Sequence, residues 1–285
     1  MRRLLFLLAF VPGLAGAQLP GLFGDVLRNI QKPAAPAQQQ AQQPATPGFL
    51  SETSEQEEVQ IGRQLAGNLL GAAPLVKEDR IQRYVNRVGR WVASQGERPN
   101  LQWYFGVLES DDVNAFALPG GYVFVTKGLF NLLADEAELA GVLGHEIAHV
   151  MLKHHLKVLK QQQGIEIVGG IVGGQVAQRD TFGARQALLG KGAEALTRGL
   201  DKGAEFEADH VGMVLATRAG YTPYGLPQVL RKMASRNPQE GSLALLFKTH
   251  PLPQERLEKL GDAMGASFDR FDAAKALPER LKRLD

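Results

Sequence analysis

The segment His145-Glu146-Ile147-Ala148-His149 carries the residue types and the spacing for metal-assisted hydrolysis. In a helix, two histidines four residues apart lie one turn apart on the same face, so both imidazoles can grip one ion. The glutamate after the first histidine is placed to take a proton from a metal-activated water. Leu143, Gly144, Val150 and Met151 flank the motif without charge, as a buried helix requires. A catalytic Zn²⁺ usually takes three protein ligands and keeps one position for water, so a third ligand must come from elsewhere in the chain. The absence of cysteine argues against a purely structural zinc, which would more often close with a fourth Cys or His.

His154 and His155 are near in sequence but badly turned. Continuing one helix at about 100° per residue puts His149 about 40° from His145, His154 about 180° away and His155 about 280° away. They read as a solvated helix end. Ala204-Glu205-Phe206-Glu207-Ala208-Asp209 offers more. Glu205 and Asp209 are four apart and share a helix face, while Glu207 lies about 200° round from Glu205. Glu205 is therefore the expected third ligand. Asp209 is the expected acceptor for the outer N–H of a bound histidine, which fixes the ring and its tautomer.

Several elements must hold these groups. Ser54 with Glu57 forms a capping box for a first helix reaching about Leu70. Ile81, Tyr84, Val85, Val88, Trp91 and Val92 repeat at helical spacing and predict a second. The period then changes. Leu101–Leu108, Val113–Leu118 and Tyr122–Thr126 read as strands, the last two joined by Pro119-Gly120-Gly121. Asp135 with Glu138 three residues on caps the metal helix, and further helices are expected near 163–177, 183–199, 202–219, 223–236, 253–264 and 274–284. A small sheet among many helices is an α+β layout.

The chain ends and composition set the context. Arg2 and Arg3 precede the apolar run Leu4–Val11, too short to anchor in a bilayer, and Ala15-Gly16-Ala17 is a small-x-small cleavage site. A signal peptide over 1–17 is expected. Residues 18–50, rich in Pro, Gln and Ala, are expected to form a disordered linker, and 51–285 the ordered domain. Removing Arg2 and Arg3 leaves 30 basic residues against 30 acidic ones, which argues against nucleic acid as an electrostatic partner. Without cysteine there is no disulfide, no thiol nucleophile and no lipidated N-terminal cysteine. The glycine-rich stretch 164–174 is apolar but shorter than the roughly 20 residues that span a bilayer, and Glu166 and Gln175 argue against full insertion. It reads as a loosely held helix that packs over the site or touches membrane or substrate.

Four elements, in order, carry a resemblance. They are Asn114-Ala115-Phe116-Ala117-Leu118-Pro119-Gly120-Gly121, His145-Glu146-Ile147-Ala148-His149, Glu205-Phe206-Glu207-Ala208-Asp209 and Thr249-His250-Pro251. With them the chain resembles the zinc metallopeptidases that include type I CAAX prenyl proteases, mitochondrial overlapping-activity proteases and bacterial β-barrel assembly-enhancing proteases. That resemblance implies a mostly helical, zincin-like domain with a small sheet bordering the active-site helix. It also implies Glu205 as third zinc ligand beside His145 and His149. Departures are visible. Asp201-Lys202 stands where many relatives carry Ser-Arg, and His210 stands where an arginine is common. The chain ends at Asp285 without the tandem-repeat domain of the assembly-enhancing relatives, so a short member is expected.

In such peptidases an edge strand before the metal helix takes the substrate as an added strand. The strand at Tyr122–Thr126 is expected in that role, with Pro119, Gly120, Gly121, Tyr122 and Val123 contacting substrate and the glycines allowing close backbone approach. His250, in a loop stiffened by Pro251 and Pro253, is expected either to stabilise the oxyanion or to take the fourth zinc position as a reversible latch. Arg256 is expected to pin this loop to a carboxylate. The reading that results is a zinc endopeptidase, with Glu146 as general base, acting on unfolded or misassembled envelope proteins in the periplasm of a Gram-negative bacterium. Outer-membrane assembly machinery or a membrane surface would be its partner. A chaperone or binding module with a latched, silent protease site is the alternative.

Overall fold

The computed structural model describes residues 53–159, 200–236, 241–264, 268, 271 and 274–282. The expected signal peptide, the linker and the helices near 163–177 and 183–199 lie outside the described residues.

Helix α1 (Glu55–Ala72) starts as foreseen: Ser54 Oγ accepts from the Glu57 amide, and the Glu57 side chain accepts from the Ser54 amide. Helix α2 (Asp79–Ala93) buries Tyr84, Val85, Val88 and Val92. Trp91 breaks the expected stripe. It is 53% exposed, and its indole N–H donates to the Ala219 carbonyl.

The sheet has three strands, β1 (Tyr104–Leu108), β2 (Ala115–Leu118) and β3 (Tyr122–Thr126), in the order β1-β3-β2. β3 is parallel to β1 and antiparallel to β2. The outer edge of β1 is closed by two amides one turn apart on α2. Gln82 accepts from the Val107 amide at 2.9 Å and donates to its carbonyl at 3.0 Å, while Asn86 accepts from the Phe105 amide and donates to its carbonyl. Two side chains thus do what a neighbouring strand would do. β2 forms the other edge, and among the described residues no strand pairs with its outer side.

Short helix α3 (Lys127–Leu132), capped by Thr126, was not foreseen. Helix α4 (Glu136–Met151) carries the His-Glu motif. Asp135 accepts from the Glu138 amide at its start, and every residue from Glu136 to Val150 is buried. Leu152 caps α4, Lys153 turns into the left-handed region at φ 57, and helix resumes over 154–159. Helix α5 (Lys202–Arg218), with Asp201 as its cap, lies against α4. At the crossing, a Cβ on Gly212 would stand 2.5 Å from the His145 amide nitrogen and one on Gly144 would stand 2.5 Å from the Gly212 carbonyl oxygen. Only glycine lets the two backbones meet there, and that contact brings the acidic face of α5 onto the histidines.

Helix α6 (Gly225–Ala234), a 3₁₀ turn (Gly241–Leu243) and helices α7 (Ala244–Thr249), α8 (Pro253–Met264) and α9 (Pro278–Lys282) complete the described fold. α6 and α9 are shorter than expected, and α7 was not foreseen. The main core runs from α2 through the inner sheet face to α4, and a second cluster lies between α1 and the other face. The result is the mostly helical α+β arrangement read from the sequence. None of the described helices is long and apolar enough to cross a membrane.

Candidate active site

The two motif histidines aim at the same point. His145 Nε2 and His149 Nε2 are 3.0 Å apart, with Glu205 Oε2 3.7 Å from the first and Glu205 Oε1 3.6 Å from the second. Ligand atoms about 2.0–2.1 Å from a tetrahedral zinc stand roughly 3.4 Å from one another, so these separations match the edges of such a site. Glu205 Oε1 is buried and has no hydrogen-bond partner. An orphaned carboxylate oxygen facing two imidazoles is costly without a cation and is satisfied by one. His145, His149 and Glu205 therefore fit a divalent ion of the zinc type. His250 joins them, with one ligand atom of each residue lying within 4.8 Å of all the others.

Each histidine is held from behind. His145 Nδ1 lies 2.8 Å from Asp209 Oδ1, and Arg256 grips the same carboxylate through Nε at 2.9 Å and Nη2 at 2.5 Å. Burial alone would raise the Asp209 pKa, but the charge and hydrogen bonds of Arg256, with His145, hold it well below the usual carboxylate range. Arg256 thus pins the segment after His250 to a carboxylate. The outer nitrogen of His149 faces His154, at 2.9 Å between the two Nδ1 atoms.

That contact corrects the expectation for the histidine pair. His154 is buried and His155 lines the cleft with Glu146, Glu205 and His250. The helix-wheel argument assumed one continuous helix. The left-handed turn at Lys153 breaks it and folds both rings back toward the site. Neither Gly nor Pro marks that turn.

Burial raises the Glu146 pKa above its ordinary value, against the lowering pull of His145 and His250. A general base is tuned in that direction to work near neutral pH. Desolvation also pushes Glu205 up, yet the charge and hydrogen bond of His250, with His145 and Arg256, bring it down to about 2. Glu205 is thereby an anion, as a ligand must be. His250 Nδ1 sits 2.7 Å from Glu205 Oε2; burial disfavours its charge, but Glu205 outweighs that and raises its pKa.

The expected substrate strand also needs correction. Tyr122 and Val123 are buried in β3, whose two edges are taken by β1 and β2, so β3 has no backbone to offer an added strand. The Pro119-Gly120-Gly121 turn is buried too, and its close approach is internal. A Cβ on Gly120 (φ 74) would stand 2.5 Å from Val59 Cα, and one on Gly121 would stand 2.4 Å from the Gln102 carbonyl oxygen. The edge beside the site is β2. Ala115, Phe116 and Ala117 line a narrow cleft with Glu146, Glu205 and His250. The Thr126 amide donates to the Asn114 carbonyl. By antiparallel alternation Asn114, Phe116 and Leu118 bond inward to β3, and Ala115 and Ala117 turn their N–H and C=O outward. Gln82 and Asn86, polar residues on the apolar face of α2, hint that this face meets a polar partner without naming the strand it closes. A second, apolar-lined space reaches from Glu146 and His250 between Val142, Leu226, Leu230, Met233 and Leu246.

Known proteins share much of this sequence. The chain is 29% identical over 206 residues to the β-barrel assembly-enhancing protease of Escherichia coli K12, covering 70% of this chain and 42% of that protein. It is 30% identical over 181 residues to the mitochondrial metalloendopeptidase OMA1 of Schizosaccharomyces pombe, covering 62% of this chain and 51% of that one. It is 32% identical over 170 residues to the metalloprotease LoiP of E. coli, covering 57% and 63%. The chain therefore spans less than half of the assembly-enhancing protease. A profile of peptidase family M48 matches residues 79–264, from the first residue of α2 to the last of α8. The match encloses every group of the metal cluster, and the chain belongs to peptidase family M48.

Proposed function

We propose that the chain is a zinc-dependent endopeptidase that cleaves exported proteins in the bacterial envelope, in quality control or outer-membrane protein assembly. One observation carries this reading: His145, His149 and Glu205 converge beside Glu146, in a cleft bordered by the β2 edge. His145, His149 and Glu205 would hold the ion. When bound, zinc polarises the scissile carbonyl and lowers the pKa of water toward about 7.

The chain's own residues do the rest. The outward backbone groups of Ala115 and Ala117 add the substrate as an extended strand, which lays its scissile bond across Glu146. Glu146 takes a proton from the attacking water and passes it to the leaving amine. The apolar lining below Glu146 favours a hydrophobic side chain of the substrate, a preference that suits unfolded segments. His250, already in the cluster, supports the latch reading. Were His250 to hold the ion together with His145, His149 and Glu205, the protease would rest, and withdrawal of its ring would open the site. A silent protease that binds unfolded envelope proteins is the second reading, favoured by the same contact.

Export through a cleaved segment over 1–17, a tether over 18–50, a domain over 51–285 and a periplasmic site of action complete the proposal, and they rest on the N-terminal sequence pattern and the envelope relative. The test is casein hydrolysis by the purified chain with zinc, with and without chelator, beside Glu146→Gln. Zinc-dependent cleavage that disappears in a variant still binding zinc supports the proposal. Cleavage retained by Glu146→Gln overturns the mechanism.

A further inference from the structure

The two histidines of the cluster are backed differently. Behind His145 stands a buried carboxylate, Asp209, clamped by Arg256. Behind His149 stands another imidazole. His154 Nδ1 is 2.9 Å from His149 Nδ1, and on the far side of the same ring His154 Nε2 is 3.3 Å from Glu207 Oε2. His154 is buried, whereas the Glu207 side chain is 55% exposed.

We propose that Glu207, acting through His154, decides which ring nitrogen of His149 carries the proton, and so keeps His149 Nε2 open to a metal ion. Glu207 and His154 are positioning residues in this scheme. The inference rests on the proposed metal site and deepens it.

The argument is one of direction. An ionised carboxylate only accepts, so the nitrogen facing it must donate. Glu207 therefore holds the His154 proton on Nε2. A neutral imidazole with Nε2–H has a bare Nδ1, which only accepts. His149 must then place its own proton on Nδ1 to donate to it. That leaves the lone pair of His149 on Nε2, the atom that faces His145 and Glu205. The reverse polarity sets two acceptors, His154 Nε2 and Glu207, against each other at 3.3 Å. It also puts a proton on His149 Nε2, where a ligand lone pair is needed. The bare His149 Nε2 then faces His145 Nε2 at 3.0 Å, two lone pairs that a cation between them satisfies, so with an ion in place only this direction satisfies both ends of the chain.

The elements explain why such a relay forms. Glu205 and Glu207 lie on different faces of α5, so one helix supplies a carboxylate to the cluster and another to its rear. The left-handed turn at Lys153 swings His154 into the gap between His149 and α5. A carboxylate or carbonyl normally backs a metal-bound histidine directly; here one imidazole is interposed and carries the instruction over two hydrogen bonds.

The test is the zinc affinity of the full chain, measured against a chromophoric chelator, for wild type, His154→Ala, His154→Asn, Glu207→Ala and Glu207→Gln. Loss of the backing partner predicts about 10- to 100-fold weaker zinc binding in His154→Ala. His154→Asn keeps an amide oxygen for the His149 proton and stays within roughly threefold of wild type. Glu207→Ala weakens binding by roughly 3- to 10-fold, because an exposed carboxylate acts through solvent-screened contacts. ¹⁵N shifts of His154 in the zinc-loaded protein place its proton on Nε2 and leave Nδ1 bare to accept from His149. Should His154→Ala fail to fold, Glu207→Ala, at a half-exposed position, carries the test alone. Wild-type affinity in either alanine variant, or a zinc-loaded wild type whose His154 carries a proton on Nδ1, overturns the relay. A wild-type chain that takes up no zinc overturns the metal site itself.

Discussion

His145 donates its Nδ1 proton to Asp209 Oδ1 at 2.8 Å, and the same oxygen accepts from Arg256 Nη2. One carboxylate thus orients the first motif histidine and fastens the segment that carries His250. Removing the carboxylate frees the imidazole to rotate and leaves a buried guanidinium without its partner. Asp209→Ala is expected to weaken zinc binding by about 10- to 100-fold. Arg256→Ala should weaken it too and should raise resting activity if the His250 latch loosens with it. Chelator competition and a casein assay on the two variants check both expectations.

The β2 edge makes a separate prediction. Ala117 turns its amide outward, so Ala117→Pro removes one hydrogen bond to an added strand without touching the pairing to β3. One lost backbone bond is worth about 1 kcal/mol, which is roughly a fivefold rise in KM. Zinc affinity and kcat should change little. A fall in kcat with constant KM would place the substrate elsewhere.

Helix α1, which lies outside the segment matched by the family, holds the turn between β2 and β3. Buried Glu58 accepts from the Gly120 amide at 3.1 Å and pairs with Arg98 at 2.8 and 3.1 Å, while Lys153 stands 3.6 Å away. Glu58→Ala leaves the largely buried Arg98 with only the exposed Glu55 as its ionic partner and removes the acceptor of a buried N–H. It is expected to cost about 3 kcal/mol of stability in urea unfolding. A loss below about 1 kcal/mol would show that water replaces the carboxylate.

The cluster also sets an acid sensitivity. Burial lowers the pKa of His149 well below 6.5, lowers that of His154 and brings His155 to about 4. These rings are neutral in the fold and take protons in the unfolded chain once pH drops below about 6.5. Their contribution to stability is complete above that pH, falls as pH drops, and for His155 levels off near 4. His250 opposes them, because its raised pKa adds stability at low pH that is lost as pH rises through its folded value. Glu146, whose raised pKa works in the same sense as that of His250, opposes them too. His149, however, is lowered well below 6.5 and His154 and His155 add to it, so metal-free protein should melt at a lower temperature at pH 4.5 than at pH 7.5. An unchanged or higher Tm at pH 4.5 would contradict this balance.

Much of the architecture is legible in the residues. The run of aromatic and β-branched residues marked Tyr122–Thr126, and the Asp135 cap located the start of the helix that carries the two histidines. The four-residue spacing of Glu205 and Asp209 put both on the face that meets the histidines. Three things were not legible, each for a physical reason. The edge of the sheet depends on Gln82 and Asn86 closing β1, a contact between residues about 20 apart that no local pattern reports. The left-handed turn at Lys153 has no Gly or Pro to announce it, so the helix wheel misdirected His154 and His155. The glycines at 120 and 121 did signal close approach, but the approaching backbone belongs to α1 and to Gln102 rather than to a substrate.

The central claim is that two imidazoles and the Glu205 carboxylate hold one zinc ion beside Glu146. Diffraction at the zinc absorption edge, on crystals of the wild-type chain grown with zinc, tests it most directly. The account predicts one anomalous peak within about 2.3 Å of His145 Nε2, His149 Nε2 and a Glu205 oxygen. Zinc-saturated crystals with no peak between those three groups, or with Glu205 turned away from it, would contradict the account.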